Sequence, residues 1–147
     1  MAAIGLTSLR GIVHDEFQYP FLLASGITQA DEGKAVTLDS SAANTVKLAG
    51  NGDRILGILM VAEVRAIEGI SIGTIALKGG YKFVVNPDAT ASSPDETPAL
   101  GDYLVGGTDS SSPAIKGYVQ KAQSSDPQDW LVVEVLDSGA AVVAIRV

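Results

Sequence analysis

From Ile55 to Ile67 an apolar residue stands at every second position without a break: Leu56, Ile58, Met60, Ala62, Val64 and Ala66. A strand sends alternate side chains to opposite faces, whereas a helix groups residues three and four apart, so this spacing specifies a strand. The other face reads Ile55, Gly57, Leu59 and Val61, then Glu63 and Arg65. The strand should therefore begin buried on both faces and end half exposed. Gly57 is the expected site of a bend or bulge of the kind that lets a long strand serve a barrel.

Shorter strands surround it. Phe21-Leu22-Leu23 precedes the turn residues Ser25-Gly26, and Ala35–Leu38 and Thr45–Leu48 alternate, with Val36 and Leu38, then Val46 and Leu48, on one face. Asn51-Gly52 is a tight-turn signal ahead of the long strand. Ile70–Leu77 and Tyr81–Val85 follow, with Tyr81, Phe83 and Val85 pointing one way. Asn86 to Pro98 is polar and reads as a surface loop, and Gly106-Gly107-Thr108-Asp109 with the serines after it reads as a second. Tyr103–Val105 and Lys116–Ala122 are short strands. Trp130–Leu136 and Ala141–Val147, split by Asp137-Ser138-Gly139, form a Val-rich hairpin in which Leu131, Val133 and Val135 should face Val143, Ile145 and Val147.

Frequent short strands with no convincing helix predict an all-β fold, a sandwich or a small β-barrel or β-tulip-like domain with long polar loops. Residues 20–147 are expected to form one β-rich domain. Residues 1–19 are expected to be an N-terminal arm, because Ile4, Leu6, Leu9, Ile12 and Val13 lie between Gly5, Gly11 and Pro20 without a helical face. A first strand of the same domain is the alternative for that segment.

The chain has 147 residues, a net charge of -7 and no cysteine. The charge sign repels phosphate backbones, so direct nucleic-acid binding is not expected. Without thiols there are no disulfides or thiolate metal sites, and stability must come from packing or association. Aromatics are 5% of the residues, which leaves Val, Ile, Leu and Ala to build the core. No run reaches membrane-spanning length, no signal peptide is read, and no membrane partner is expected.

Residues able to do chemistry are sparse. His14 is the sole histidine, next to Asp15 and Glu16 in the expected arm, and three consecutive residues there make a poor metal cage. Asp102, Asp109, Asp129 and Glu134 could serve carboxylate chemistry, but no spacing selects a pair. Thr108-Asp109-Ser110 lacks the pattern of a calcium loop, and Gly50-Asn51-Gly52 lacks the Lys-Ser or Lys-Thr of a phosphate loop. No catalytic residue, metal or cofactor is expected. Trp130 either packs at a strand entrance beneath Asp126-Pro127 or anchors an interface.

Four stretches together carry a family resemblance. They are Glu32-Gly33-Lys34-Ala35-Val36-Thr37-Leu38, Gly52-Asp53-Arg54-Ile55-Leu56-Gly57-Ile58-Leu59, Gly69 to Lys78, and Pro98-Ala99-Leu100-Gly101-Asp102-Tyr103-Leu104-Val105. Their order over residues 20–147 resembles the small phage head decoration, or capsid cement, proteins of the lambda-type and related β-barrel groups. The resemblance implies a noncatalytic protein of the virion that is assembled in the host cytoplasm. It would bind the outer capsid surface as a homotrimer, stabilising the expanded head by bridging major capsid protein subunits. It also implies that an N-terminal arm contacts the capsid lattice, here through Ile4, Leu6, Leu9 and Ile12. The alternative is a β-rich carbohydrate- or receptor-binding module of a viral structure, to which Tyr103, Tyr118 and Trp130 could contribute.

Overall fold

The computed structural model describes residues 18–65, 67–92 and 96–147. Five strands close into a barrel: β1 (Gln18–Leu23), β2 (Ala35–Leu38), β3 (Thr45–Leu48), β4 (Gly57–Arg65) and β5 (Ile70–Ala76), in the spatial order β1-β3-β2-β4-β5. Only the β1–β3 pairing is parallel; the other barrel pairs are antiparallel. A three-stranded sheet of β6 (Gly80–Val84), β10 (Ala141–Arg146) and β9 (Trp130–Leu136) and a ribbon of β7 (Leu104–Gly107) with β8 (Tyr118–Lys121) complete the strands. The all-β expectation and the barrel within it hold.

β1 begins at Gln18, inside the stretch expected as an arm, and its residues Gln18 to Leu22 pair with β5. The amide of Leu22 donates to Asn44 on the β3 side. By the two-residue alternation Pro20 faces that same side, beyond the start of β3, so its missing N–H falls on an unpaired edge, where proline costs nothing.

Two apolar clusters result. Inside the barrel lie Leu23, Ile27, Val36, Val46, Leu59, Ala62 and Ile75. The larger cluster joins the barrel to the sheet and ribbon, and is built on Trp130, Phe83, Tyr81, Ile55, Leu104, Val119, Val132 and Val142. Phe83 meets Trp130 edge-on, with ring centroids 5.2 Å apart, a favoured aromatic geometry.

Several local expectations need correction. The irregularity in β4 lies between Leu59 and Val61, not at Gly57. The extra residue there shifts the alternation, so Ala62 joins Leu59 inside the barrel while Ile58 packs in the other cluster, and the even-numbered face is not continuous. Gly57 is needed for another reason: a Cβ there would collide with the carbonyl oxygen of Ala76 and lie 2.9 Å from Cγ2 of Ile75. Leu38, on the same face of β2 as the buried Val36, is exposed at the strand's end.

The polar stretch after β6 is not all loop. Pro87–Ser92 forms a helix, α1, whose start is set by Asn86: its side-chain oxygen accepts from the amide of Asp88 at 3.2 Å. Asn at the cap with Pro at the first helical position is a helix-start signal. Gly106 and Gly107, expected in a loop, belong to β7, because a Cβ on Gly106 would meet the carbonyl oxygen of Gly50. In the last hairpin, Val143 opposes Glu134 and Ala144 opposes Val132, so Val133 is an inserted residue. Leu131 does oppose Ile145, but Val132, Val142 and Ala144 supply the buried face, while Val133, Val135, Ile145 and Val147 are exposed.

Candidate interaction surface

The residues singled out for chemistry are not brought together. Asp102 accepts from the amide of Ala99 at 2.8 Å and has Lys121 at 3.7 Å. Asp129 pairs with Arg54 at 2.9 Å. Glu134 is exposed on β9. Asp109 is spent on its own loop, accepting from the amides of Ile115 at 2.8 Å and Ser111 at 3.2 Å and from the Ser111 hydroxyl at 2.9 Å. The Ile115 hydrogen bond above all, with those from Ser111, holds its carboxyl below the ordinary value of 3.8. Among the described residues, no three His, Cys, Asp or Glu side chains group as metal ligands. Likewise no described helix is long and apolar enough to cross a membrane.

Trp130 is wholly buried, and its indole N–H donates to the carbonyl of Ile55 at 3.0 Å. It therefore exposes nothing to a partner or a sugar ring. Tyr81 and Phe83 are buried with it, and Lys82, which points the other way, pairs with Asp137 at 3.2 Å. Tyr103 and Tyr118 are half-buried. Ile4, Leu6, Leu9 and Ile12, and the His14-Asp15-Glu16 cluster, lie outside the described residues.

What the fold does display is apolar side chain on its outside. The first concentration is the β4–β5 hairpin, where Val61, Val64, Ile67 and Ile70 are exposed, Ile67 completely. Registered against β5, Leu22 of β1 opposes Ile72 and is itself 41% exposed. Beside the hairpin lies an open cavity of about 510 Å³ lined by Leu22, Leu23, Ile27, Val64 and Ile70, with Thr45 and Ser71 as polar rim. The second concentration is on the hairpin of β9 and β10, in Val133, Val135, Ile145 and Val147. Scattered surface apolar residues need no explanation, whereas contiguous exposed apolar patches are candidate interaction sites.

Alternation alone does not reveal these surfaces, because the bulges at Met60 and Val133 exchange the faces of β4 and β9, putting Val64 on the side of Ala62 and Val135 opposite Val142. No family model, curated protein or solved structure matches this chain.

Proposed function

We propose that this chain is a noncatalytic binding protein of a phage virion, one that decorates the outer surface of the capsid and bridges major capsid subunits as a homotrimer. The observation that supports this best is the apolar surface carried by the β4–β5 and β9–β10 hairpins. Both are paired strands that present exposed Val and Ile without having to order first. A preformed apolar patch suits recognition of another protein, since its burial contributes binding free energy with little ordering cost. Repeating such a contact around a trimer and over a lattice multiplies retention.

The segment before Gln18 leads into β1, whose first residues pair with β5 while Leu22 and Leu23 pair with β3 as well, and Ile4, Leu6, Leu9 and Ile12 are its proposed capsid contacts. An added strand on a neighbouring sheet edge is one way such a segment binds. The glycan-binding alternative loses its strongest residue, because Trp130 is enclosed.

The test is co-sedimentation with expanded, undecorated heads, comparing the full chain with one lacking residues 1–17. Saturable binding by the full chain, with weaker retention of the truncated one, is the expected result. Failure of the full chain to bind heads, or equal retention of the two, would count against the respective parts of the proposal.

A further inference from the structure

The β4–β5 hairpin tip carries an exposed apolar side chain beside carboxylates, and apolar side chains and lysines lie at and near the cavity at its base. One half is the hairpin tip, where Ile67 is fully exposed with Glu63 and Glu68 beside it. Both carboxylates share one guanidinium, that of Arg65, at 2.9 and 3.2 Å, so the tip keeps a net negative charge. An isoleucine is a poor residue for a solvent-facing turn, which Gly, Asn and Asp fill at lower cost.

The concave half is the cavity of about 510 Å³ whose apolar wall is Leu22, Leu23, Ile27 and Ile70. The Ala24–Ile27 segment separates it from a second depression of about 250 Å³ that is flanked by Lys47 and Lys116. Both lysines are exposed, and among the described residues neither is within 4.0 Å of a carboxylate, although Lys47 acts on Asp39 from farther away. On a chain of net charge -7, two exposed cations near an apolar socket form a local site for an apolar group flanked by carboxylates.

We propose that the β4–β5 hairpin tip of one copy seats in this socket on a second copy, Ile67 against the apolar wall and Glu63 and Glu68 toward Lys47 and Lys116. Repeated head-to-tail around a closing rotation, such a contact yields a ring. This deepens the self-association part of the proposed function and rests on it. Its test needs no capsid, so its failure is distinguishable from a failure to bind heads.

The experiment is sedimentation velocity of the full chain over a wide concentration range, with the variants Ile67→Glu, Glu68→Lys and Lys47→Glu. Ile67 has no packing to lose, and an unchanged thermal midpoint checks that each variant folds. Ile67→Glu is expected to weaken association about ten- to hundredfold, the worth of burying one large aliphatic side chain. Each charge reversal should weaken it as well, and combining Glu68→Lys with Lys47→Glu in one chain should restore part of the loss. A wild-type chain that stays monomeric throughout, or an oligomer indifferent to Ile67→Glu, would overturn the proposal.

Discussion

The indole N–H of Trp130 donates to the carbonyl of Ile55 at 3.0 Å, a bond between residues 75 apart in sequence that fastens the first residue of β9 to the segment leading into the barrel. Arg146, directly opposite Trp130 in the β9–β10 register, reinforces the same seam. Its guanidinium donates to the carbonyls of Leu56 at 2.6 Å and Leu77 at 3.3 Å and lies 5.8 Å from the Trp130 ring centroid. Barrel and sheet are thus joined by hydrogen bonds to backbone as well as by apolar packing. Trp130→Phe removes the donor, leaves Ile55 without this partner and opens space, and is expected to cost about 2–4 kcal/mol. Urea unfolding of the variant measures it; a loss within error of zero would mean the seam is held by packing elsewhere.

Gly57→Ala places a methyl group against the Ala76 carbonyl, where β4 and β5 meet at the barrel wall. Backbone cannot yield there as a flexible side chain can. The variant should lose at least the about 1–3 kcal/mol typical of overpacking. Gly26→Ala is the control: nothing lies within 4 Å of its Cβ, and only its φ of +92° opposes the change. It should cost about 1 kcal/mol. Equal midpoints for the two in thermal denaturation would contradict the close-approach account.

Asn86 caps α1 and also reaches outward, its amide nitrogen donating to Thr108 O at 3.1 Å and to Gln120 Oε1 at 3.3 Å. Asn86→Ala should cost about 1–2 kcal/mol for the cap. It should also raise amide exchange in both α1 and the β7–β8 ribbon. Faster exchange confined to α1 would show that the bonds to Thr108 and Gln120 are unimportant.

Asp109 has a carboxyl lowered from 3.8 by the Ile115 and Ser111 hydrogen bonds. A folded-state value below the unfolded one means that the charged carboxylate's contribution is present above about pH 4 and is lost as pH falls through the lowered value. The amides of Ser111 and Ile115 should keep their chemical shifts on acidification to the ordinary value and move only below it. In Asp109→Asn that step should vanish. Because Asp31 and Asp39 are also lowered, the local amides are the appropriate readout, not global stability. A midpoint at or above 3.8 would contradict this assignment.

Much of the fold was legible because strand period and turn chemistry agreed. Ala35–Leu38, Thr45–Leu48 and Trp130–Leu136 were placed with their observed bounds from alternation and the Gly, Asn and Asp residues between them. The register details were not legible. A bulge adds one residue with no compositional mark, so neither Met60 nor Val133 announced that the faces would exchange. Gly57 and Gly106 were read as local punctuation, whereas each is fixed by a distant backbone, Ala76 and Gly50. The start of α1 was readable in Asn86-Pro87 but was outweighed by the polar composition that follows. The exposed hairpin surfaces could not be seen in advance, because a run of Val and Ile gives no sign of which face finds a partner within its own chain.

Cryo-electron microscopy of expanded heads incubated with the chain tests the proposed capsid-bridging role. Ordered density for the domain is expected at repeated positions on the outer surface, contacting more than one major capsid subunit, with residues before Gln18 running onto the lattice. Heads that remain bare at saturating protein would contradict that role.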